Sequence, residues 1–392
     1  MGTKFFKLLL VAVFLASFIP FAEMATALEW GSSEIKPGFK VEERYDSNIF
    51  YDRTDPKHDF ITLLTPTLAG EYGFGTEDKH KVWAGYLGEF GIFGNYTKQN
   101  YGNHNASAGM NLDFDKYTLD VDNLFQFTST RAGTEFTTRT LRKIDTANAT
   151  LGMHFNKMDF DLGYRYYIVE FLSDTLRDEN RYENSVWTAG YFQIQPKTKA
   201  LLEFDYRNIQ YKSAGGRNAN AFDMLIGVKG EITAKLTGII KGGYGLKQYS
   251  KDSTTPNFNN AVANIALLYA FNDRTDLTFS YNRAAYESIY SNNNYYIGDH
   301  FLADINYRFG GQFRDLIARC DLMYFHNSYP EAAIGETKKR TDDEWAAGLA
   351  LDYQIKEWAS AGVGYRFHQR ASNLGIRRYE QNVVDVHARV AF

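Results

Sequence analysis

Apolar and polar residues alternate with a period of two along most of this chain. In the C-terminal stretch Tyr379–Phe392, Val384 and Val386 share one face, whereas Asp385 and His387 share the other. Successive side chains of a β-strand point to opposite faces of the sheet. The pattern therefore predicts strands with one apolar and one polar face.

A larger unit recurs from about Ile35 onward: a strand, a polar loop, a second strand and a tight turn. The tight turns carry hairpin residues, as in Asn272-Asp273 and Gly310-Gly311. The loops at the other ends, such as Lys212 to Arg217, are longer and rich in Asn, Ser, Lys, Arg and Asp. Counting the segments gives about eighteen strands, with both chain ends on the side of the tight turns.

Short turns at one rim and long polar loops at the other are typical of bacterial outer-membrane barrels. We therefore predict an all-β fold: a single antiparallel transmembrane β-barrel of about 18 strands, with short periplasmic turns and longer extracellular loops. Aromatic residues such as Tyr72 and Tyr353 close strands beside the short turns, as in an interfacial aromatic girdle. The alternative is a water-soluble sandwich or large up-and-down barrel. That alternative explains poorly why nearly every strand has a polar face in a chain without a second apolar layer.

The N-terminal residues 1–27 have the features of a secretory signal peptide. Lys4 and Lys7 precede the apolar run Leu8 to Phe21, and Ala25-Thr26-Ala27 forms a cleavage site. We predict that residues 28–392 form the barrel and that it resides in the outer membrane of a Gram-negative bacterium. Outer-membrane lipid and the barrel insertion machinery are the expected partners, and Phe392 is the expected C-terminal insertion signal.

Composition agrees with strands and excludes several other classes of protein. The chain contains 28 Tyr and 30 Phe, and aromatic residues favour strands. The single Cys320 excludes an internal disulfide. The net charge of −4 argues against nucleic-acid binding, which leaves a basic footprint.

No haem, zinc or phosphate-loop motif occurs, so we predict no cofactor, no metal and no enzymatic activity. An acyl hydrolase assembled from residues on separate strands stays open as the enzymatic alternative.

In a transmembrane barrel the polar faces line the interior. Here they carry Asp, Glu, Arg and His at i, i+2 and i+4, with both signs of charge. Such residues could guide a hydrated solute, or they could pair across neighbouring strands. The mixture of signs argues against strong ion selectivity. The predicted pore-lining residues are Asp159, Asp161, Arg165, Glu203, Asp205, Arg207, Asp304, Arg308, Asp315, Arg319, Asp321, Arg366, His368, Asp385, His387 and Arg389.

One segment near the start of the predicted barrel resembles a known family. The sequence F-K-V-E-E-R-Y-D-S-N-I-F at 39–50, followed by D-F-I-T at 59–62 and Leu64-Thr65-Pro66, is similar to the start of the type 2 putative beta-barrel porin family. The resemblance implies an outer-membrane barrel of a kind often linked with exopolysaccharide export. It carries over no catalytic residue, because the shared motif is structural.

We therefore expect a channel that passes hydrophilic solute, with exopolysaccharide export as the first hypothesis and polysaccharide or periplasmic export components as partners. A general diffusion porin and a structural or sheath barrel around a periplasmic partner are the alternatives. An exporter must not leak, so we expect loops to fold over the pore. Arg131 to Arg142 and Asn327 to Arg340 are the candidate segments, because loops longer than a hairpin requires often cover a site.

The first testable prediction concerns topology. Epitopes placed after Tyr211 or within Asn327 to Arg340 are expected to bind antibody on intact cells, because they lie in the predicted extracellular loops. The same epitope inserted at Asn156-Lys157 is expected to react only after the outer membrane is permeabilised. Surface labelling of the short turns would contradict the predicted orientation.

Overall fold

The structure is a computed structural model that describes residues 28–213, 216–250, 253, 255–290, 292–332 and 334–392. The predicted signal segment 1–27 lies outside the described residues. Eighteen antiparallel strands of the described residues form one sheet that closes on itself, because the strand Tyr379–Ala391 pairs with the strand Ser33–Asp46. A three-residue strand, Leu28–Trp30, pairs with the start of Ser33–Asp46.

The first strands are β1 (Leu28–Trp30), β2 (Ser33–Asp46), β3 (Asp59–Phe74), β4 (His80–Phe93), β5 (Tyr101–Asp113) and β6 (Tyr117–Thr128). The middle strands are β7 (Arg142–His154), β8 (Met158–Phe171), β9 (Arg181–Gln195), β10 (Thr198–Tyr211), β11 (Ala219–Thr233) and β12 (Leu236–Tyr249). The last strands are β13 (Phe258–Asn272), β14 (Thr275–Glu287), β15 (Tyr295–Arg308), β16 (Leu316–Ala332), β17 (Lys339–Lys356), β18 (Ala359–Ser372) and β19 (Tyr379–Ala391). Short 3₁₀ turns occur at Thr76–Asp78, Thr97–Gln99, Asp174–Glu179, Gly311–Phe313 and Gly375–Arg377.

Long and short connections alternate along the chain, as the sequence predicts. The turns at one rim span as few as two residues, such as 196–197 and 357–358, whereas the loop between β2 and β3 covers 47–58. The predicted antiparallel barrel of about eighteen strands is confirmed. Among the described residues, no helix is long and apolar enough to cross a membrane.

The two faces of the sheet differ as the alternation predicts. The outer face exposes apolar side chains such as Leu202, Phe204, Val384 and Val386. The other face is concave, and this curvature lets its long side chains reach past a neighbouring strand. Lys241 on β12, for example, reaches Glu203 on β10 at 2.8 Å, although strands two apart are separated by about 9.6 Å.

One local sequence prediction is wrong. The predicted long loop Asn327 to Arg340 is mostly strand, because β16 continues to Ala332 and β17 starts at Lys339. A register shift between Ser328 and Ala332 lets these strands remain paired beyond the expected end.

The second prediction tests the assignment of the faces at adjacent mid-strand positions of β13. Ile265 shares its face with outward Tyr281, its register partner, whereas Ala266 shares the lumenal face with Ser280. Ile265→Arg should lower the free energy of unfolding by about 2–4 kcal/mol if it lies near the bilayer midplane, because an arginine then enters lipid. Ala266→Arg, the matched control, should change it little because that side chain meets water. The measurement is urea unfolding in lipid vesicles, and equal losses for the two variants would contradict the assignment.

Candidate functional site

The loop between β6 and β7, residues 129–141, crosses the lumen, and we call it the constriction loop. The Thr134 hydroxyl accepts a hydrogen bond of 3.1 Å from Asn327 Nδ2 on β16. The Glu135 carboxylate accepts one of 2.7 Å from Ser288 Oγ and one of 2.9 Å from the Ile289 N–H. Because β16 is eight strands from β6 in a closed sheet of eighteen, these contacts join nearly opposite walls. The predicted occluding segment Arg131 to Arg142 therefore does lie across the passage.

Apolar packing directs this loop inward. Phe136 is buried and stacks on Phe171 of β8, with ring centroids 5.9 Å apart. Val169, also on β8, belongs to the same buried cluster. Gly133 has a φ of 92°, a left-handed conformation that suits glycine, where the chain turns toward the far wall. The loop thus has an apolar anchor on the near wall and polar anchors on the far wall.

The second candidate plug, Asn327 to Arg340, has a different role. Asn327 lies on β16 and receives the constriction loop through the hydrogen bond to Thr134. At the tip of the hairpin Ile334 is 84% exposed. This segment is therefore part of the wall against which the loop docks rather than a plug.

A cavity of about 450 Å³ lies beside the constriction loop, between it and the wall formed by the first and last strands. We call it the constriction cavity. Its charged lining residues are four arginines and two glutamates, and tyrosines form much of its remaining wall. Its polar and aromatic lining includes Arg44, Tyr51, Glu89, Tyr101, Arg131, Arg139, Glu344, His368, Arg370 and Tyr379.

Arg131 is held by a tyrosine and by main-chain carbonyls. Its guanidinium carbon lies 3.4 Å from the centre of the Tyr51 ring, and its Nη2 donates to the Ile49 carbonyl at 2.7 Å. Tyr51 in turn stacks on Tyr379, with centroids 4.4 Å apart and ring planes 6° from parallel. Burial lowers the pKa of the Arg131 guanidinium, but arginine still keeps its charge at neutral pH.

Arg139 is held by a second tyrosine. Its guanidinium carbon lies 3.7 Å from the centre of the Tyr101 ring, and the Tyr101 hydroxyl donates to Glu89 at 2.9 Å. Tyr101 lies over Gly91 on the neighbouring strand, where a Cβ atom would overlap its ring. The glycine therefore makes room for the tyrosine that supports the arginine.

The other basic residues of the constriction cavity have carboxylate partners. Arg370 lies 2.6 Å from a Glu344 oxygen, and His368 Nε2 lies 2.8 Å from the other oxygen of the same carboxylate. Arg44 lies 2.6 Å from Glu42. The two arginines of the constriction loop therefore differ from the arginines of the wall: the wall arginines form ion pairs with glutamates, whereas the loop arginines rest on tyrosine rings.

Most of the predicted pore-lining residues lie on the concave face, and many of them pair there. Asp159 pairs with Lys199 and His154, Glu203 with Lys241, Arg207 with Glu183, Arg319 with Asp352, Asp321 with Arg366, His368 with Glu344, and His387 with Asp352 and Asp385. Arg165 bonds the amide oxygen of Asn148 at 2.8 Å. Of the rest, Asp161 lies opposite Ala189, Asp205 opposite Asp223, Asp304 opposite Asp321, Arg308 opposite Ile317 and Arg389 opposite Ser360. Their role as pore-lining residues stays a prediction.

Two predicted residues lie at the rim with the short turns. Asp315 is in the turn between β15 and β16, not on a strand as its alternation suggested. Phe392 follows β19, and its ring stacks on Trp358 with centroids 5.8 Å apart. Its main-chain N–H donates to the Pro37 carbonyl at 3.1 Å, which ties the last residue to β2.

The sequence analysis identified the segment of the constriction loop but did not single out the residues that line the constriction cavity. Tyr51, Arg131 and Arg139 belong to loops, where alternation gives no face. Arg370 continues the i+2 series of Arg366 and His368 on β18 and could have been found by extending it. Glu344 lies on β17, at an i+2 position from Asp342. Within the described residues, no group of three or more His, Cys, Asp or Glu side chains is placed to hold a metal ion.

A closed 18-stranded barrel with an apolar outer face, a charged lumen and an inward loop defines a porin-like outer-membrane β-barrel. Residues 25–392 match the sequence model of the family described as Putative beta-barrel porin 2. This chain belongs to that family, as its 39–50 segment suggested.

Solved structures share the fold at low sequence identity. The outer membrane protein opdK from Pseudomonas aeruginosa is 11% identical, covers 91% of this chain and 99% of its own, and superimposes with a TM-score of 0.51. OccAB4 from Acinetobacter baumannii is 13% identical over 91% of this chain and 98% of its own, with a TM-score of 0.48. No curated protein matches this sequence. At this level of identity the solved structures establish the fold alone.

The third prediction concerns the contact of Glu135 with the far wall. Burial raises the pKa of this carboxyl, although the Ile289 N–H, the Ser288 hydroxyl and the charge of Arg340 oppose that rise. The docked loop therefore binds the proton more tightly than a free loop. Proton binding by Glu135 therefore stabilises the docked loop. This stabilisation is complete below the ordinary carboxyl pKa of about 4.3 and is lost as the pH rises through the raised pKa of the docked state.

Loop opening, recorded as current fluctuations in a planar bilayer, should therefore increase with pH. Glu135→Gln should remove this dependence, because an amide does not titrate in the range. Glu336→Gln, in the exposed hairpin tip, is the matched control and should retain it. A pH response that survives in Glu135→Gln would contradict the assignment.

Proposed function

We propose that this protein is an outer-membrane channel for hydrophilic solutes, in which the constriction loop limits what passes. The observation that carries the proposal is the anchoring of residues 129–141 to both walls of a polar lumen through Phe136, Thr134 and Glu135. A structural barrel would not need such a loop. A channel gains selectivity from it, because a narrow polar segment brings solute into contact with side chains.

The size of the constriction cavity favours small solutes. At about 450 Å³ it lies within the range of about 300–1,000 Å³ that small-molecule sites occupy. A solute of that size can exchange its hydration shell for the arginines, glutamates and tyrosines of the wall. This supports selective diffusion over a wide, unspecific pore.

Export of an exopolysaccharide is the second candidate function. The rings of Tyr51, Tyr101 and Tyr379 line the cavity, and an aromatic face suits the apolar face of a sugar ring. A polymer would require the loop to leave the lumen, which means breaking the Thr134 and Glu135 contacts with the far wall. Export would then depend on a partner or on the polymer itself to displace the loop.

The proposal includes the route by which the chain reaches the membrane. The signal segment 1–27 would direct export from the cytoplasm of a Gram-negative bacterium, and the insertion machinery would recognise the terminal strand ending in Phe392. The outward apolar and aromatic side chains beside the short turns, such as the 57% exposed Phe114, support contact with lipid.

The fourth prediction tests the role of the constriction loop. Purified protein in a planar bilayer should show low, flickering conductance, because the loop obstructs the lumen and is held there by few polar contacts. Replacing 132–138 by a short Gly-Ser linker should raise and steady the conductance. Shortening the hairpin 334–338, which projects from the wall, is the matched control and should leave the conductance unchanged.

The conductance of the intact protein and a deletion of its gene together separate the alternative functions. A wide, steady pore in the intact protein would favour a general diffusion porin and contradict the proposed constriction. For the export candidate, deletion of the gene should lower cell-surface polysaccharide without changing uptake of small sugars. Unchanged polysaccharide together with slower uptake of a small solute would reject export and retain the selective channel.

A further inference from the structure

The constriction loop carries two arginines, Arg131 and Arg139, that form no ion pair with a carboxylate of the described residues. Arg131 uses two of its donor groups on main-chain carbonyls, the Ile49 oxygen at 2.7 Å and the Thr137 oxygen at 3.1 Å. Arg139 contacts the rings of Tyr101 and Phe93. Neither arginine forms an ion pair with a described residue, whereas Arg44 and Arg370 in the same cavity do.

The same cavity is unevenly charged. Of the two glutamates that line it, Glu344 is already shared by Arg370 and His368. Glu89 accepts from the Tyr101 hydroxyl at 2.9 Å and from Asn103 at 3.2 Å. Glu89 forms no ion pair among the described residues, so its negative charge offsets part of the charge of the loop arginines. Four arginines against two glutamates still leave the lining of the cavity net positive.

The two guanidinium groups are fixed in place before any solute arrives. Arg131 rests on a ring that is itself stacked on Tyr379, and Arg139 rests on Tyr101, which lies over Gly91. A cation held over an aromatic face keeps most of its N–H donors free at its edges. Rigid donors lose less side-chain entropy when they bind, which favours affinity for a matching acceptor.

We propose that the constriction cavity binds a small carboxylated solute, with the carboxylate on Arg131 and Arg139 and the body of the solute against the tyrosine rings. The inference rests on the proposed channel function and names its substrate class. A planar carboxylate matches the fork of a guanidinium, which can donate two parallel hydrogen bonds to it. The flat ring of an aromatic acid, or the apolar C–H face of the ring of a sugar acid, fits against aromatic walls.

The competing explanation is that both arginines only hold the loop in place. In that case the cation–π contacts and the carbonyl bonds would be their whole role, and removal would loosen the loop without changing any preference among solutes. The two explanations differ in ion preference and in solute binding, so both are measured.

The experiment compares the wild type with the double variant Arg131→Gln, Arg139→Gln and with Lys229→Gln. Lys229 is an exposed cation on the lumenal face of β11 outside this cavity, so its variant controls for loss of one lumenal charge. Glucuronate and benzoate are titrated into purified protein in detergent by calorimetry, with glucose and inorganic phosphate as comparison solutes. The reversal potential in a potassium chloride gradient gives the ion preference of the open channel. Circular dichroism checks that each variant is folded.

The expected result is that the wild type binds both carboxylates, binds glucose and phosphate at least tenfold more weakly, and prefers chloride over potassium. The double variant should lose about tenfold or more in carboxylate affinity, consistent with the strength of a charged hydrogen bond, and should lose the preference for chloride. Lys229→Gln should retain both. If the double variant misfolds, each single variant is tested, and each should weaken carboxylate binding.

Several results would overturn the proposal. These are no carboxylate binding by the wild type, equal binding by the double variant, or equal binding of phosphate and carboxylate. Carboxylate binding without any conductance would instead reject the channel function and leave the binding site standing. The two proposals can therefore fail separately.

Discussion

Closure of the sheet is the constraint on which the rest of this structure depends. Inside a lipid bilayer no water can satisfy a free backbone N–H or C=O, so an open sheet edge is not tolerated. The pairing of β19 with β2, from Val383 opposite Asp46 to Ala391 opposite Gly38, removes both edges. The last residue continues this seam by donating its N–H to the Pro37 carbonyl. Every other feature is built on a wall whose backbone is already satisfied.

Once the wall is closed, the lumen must accommodate many charges, and it does so by pairing them. Ion pairs such as Lys241 with Glu203 join strands two apart, so they neutralise the wall over wide stretches. Glycines make part of this possible, since a Cβ at Gly348 would overlap Asp321, the partner of Arg366. Some wall carboxylates lie opposite one another instead, as Asp205 does opposite Asp223. The two arginines of the constriction loop form no ion pair with a described residue, and for this reason we propose that the loop provides the selectivity.

The comparison with opdK shows how little residue identity this fold requires. Only 11% of aligned residues agree, yet the two chains superimpose with a TM-score of 0.51. A barrel needs the alternation of apolar and polar positions, turns of the right length at one rim and closure, and many residues satisfy each condition. The family match over residues 25–392 is correspondingly a match of pattern along the whole chain.

The sequence by itself determined the strands, their faces and the number of strands to a close approximation. These are local properties: a side chain at i+2 shares the face of residue i whatever the rest of the chain does. It also identified Arg131 to Arg142 as a loop too long for its hairpin. The sequence did not show the extended pairing of the two strands within Asn327 to Arg340. A register shift keeps β16 and β17 paired there, where the composition suggested a loop.

Only the tertiary structure decided which loop crosses the lumen and what it meets there. Glu135 and Ser288 are separated by 153 positions in sequence, and no periodicity relates them. Likewise, Arg131 meets Tyr51 because two loops fold toward one axis, and Arg139 meets Tyr101 because Gly91 leaves room for the ring. Strand alternation fixes the direction of a side chain but not the path of a loop. The constriction therefore depends on long-range packing, which no local pattern in the sequence encodes.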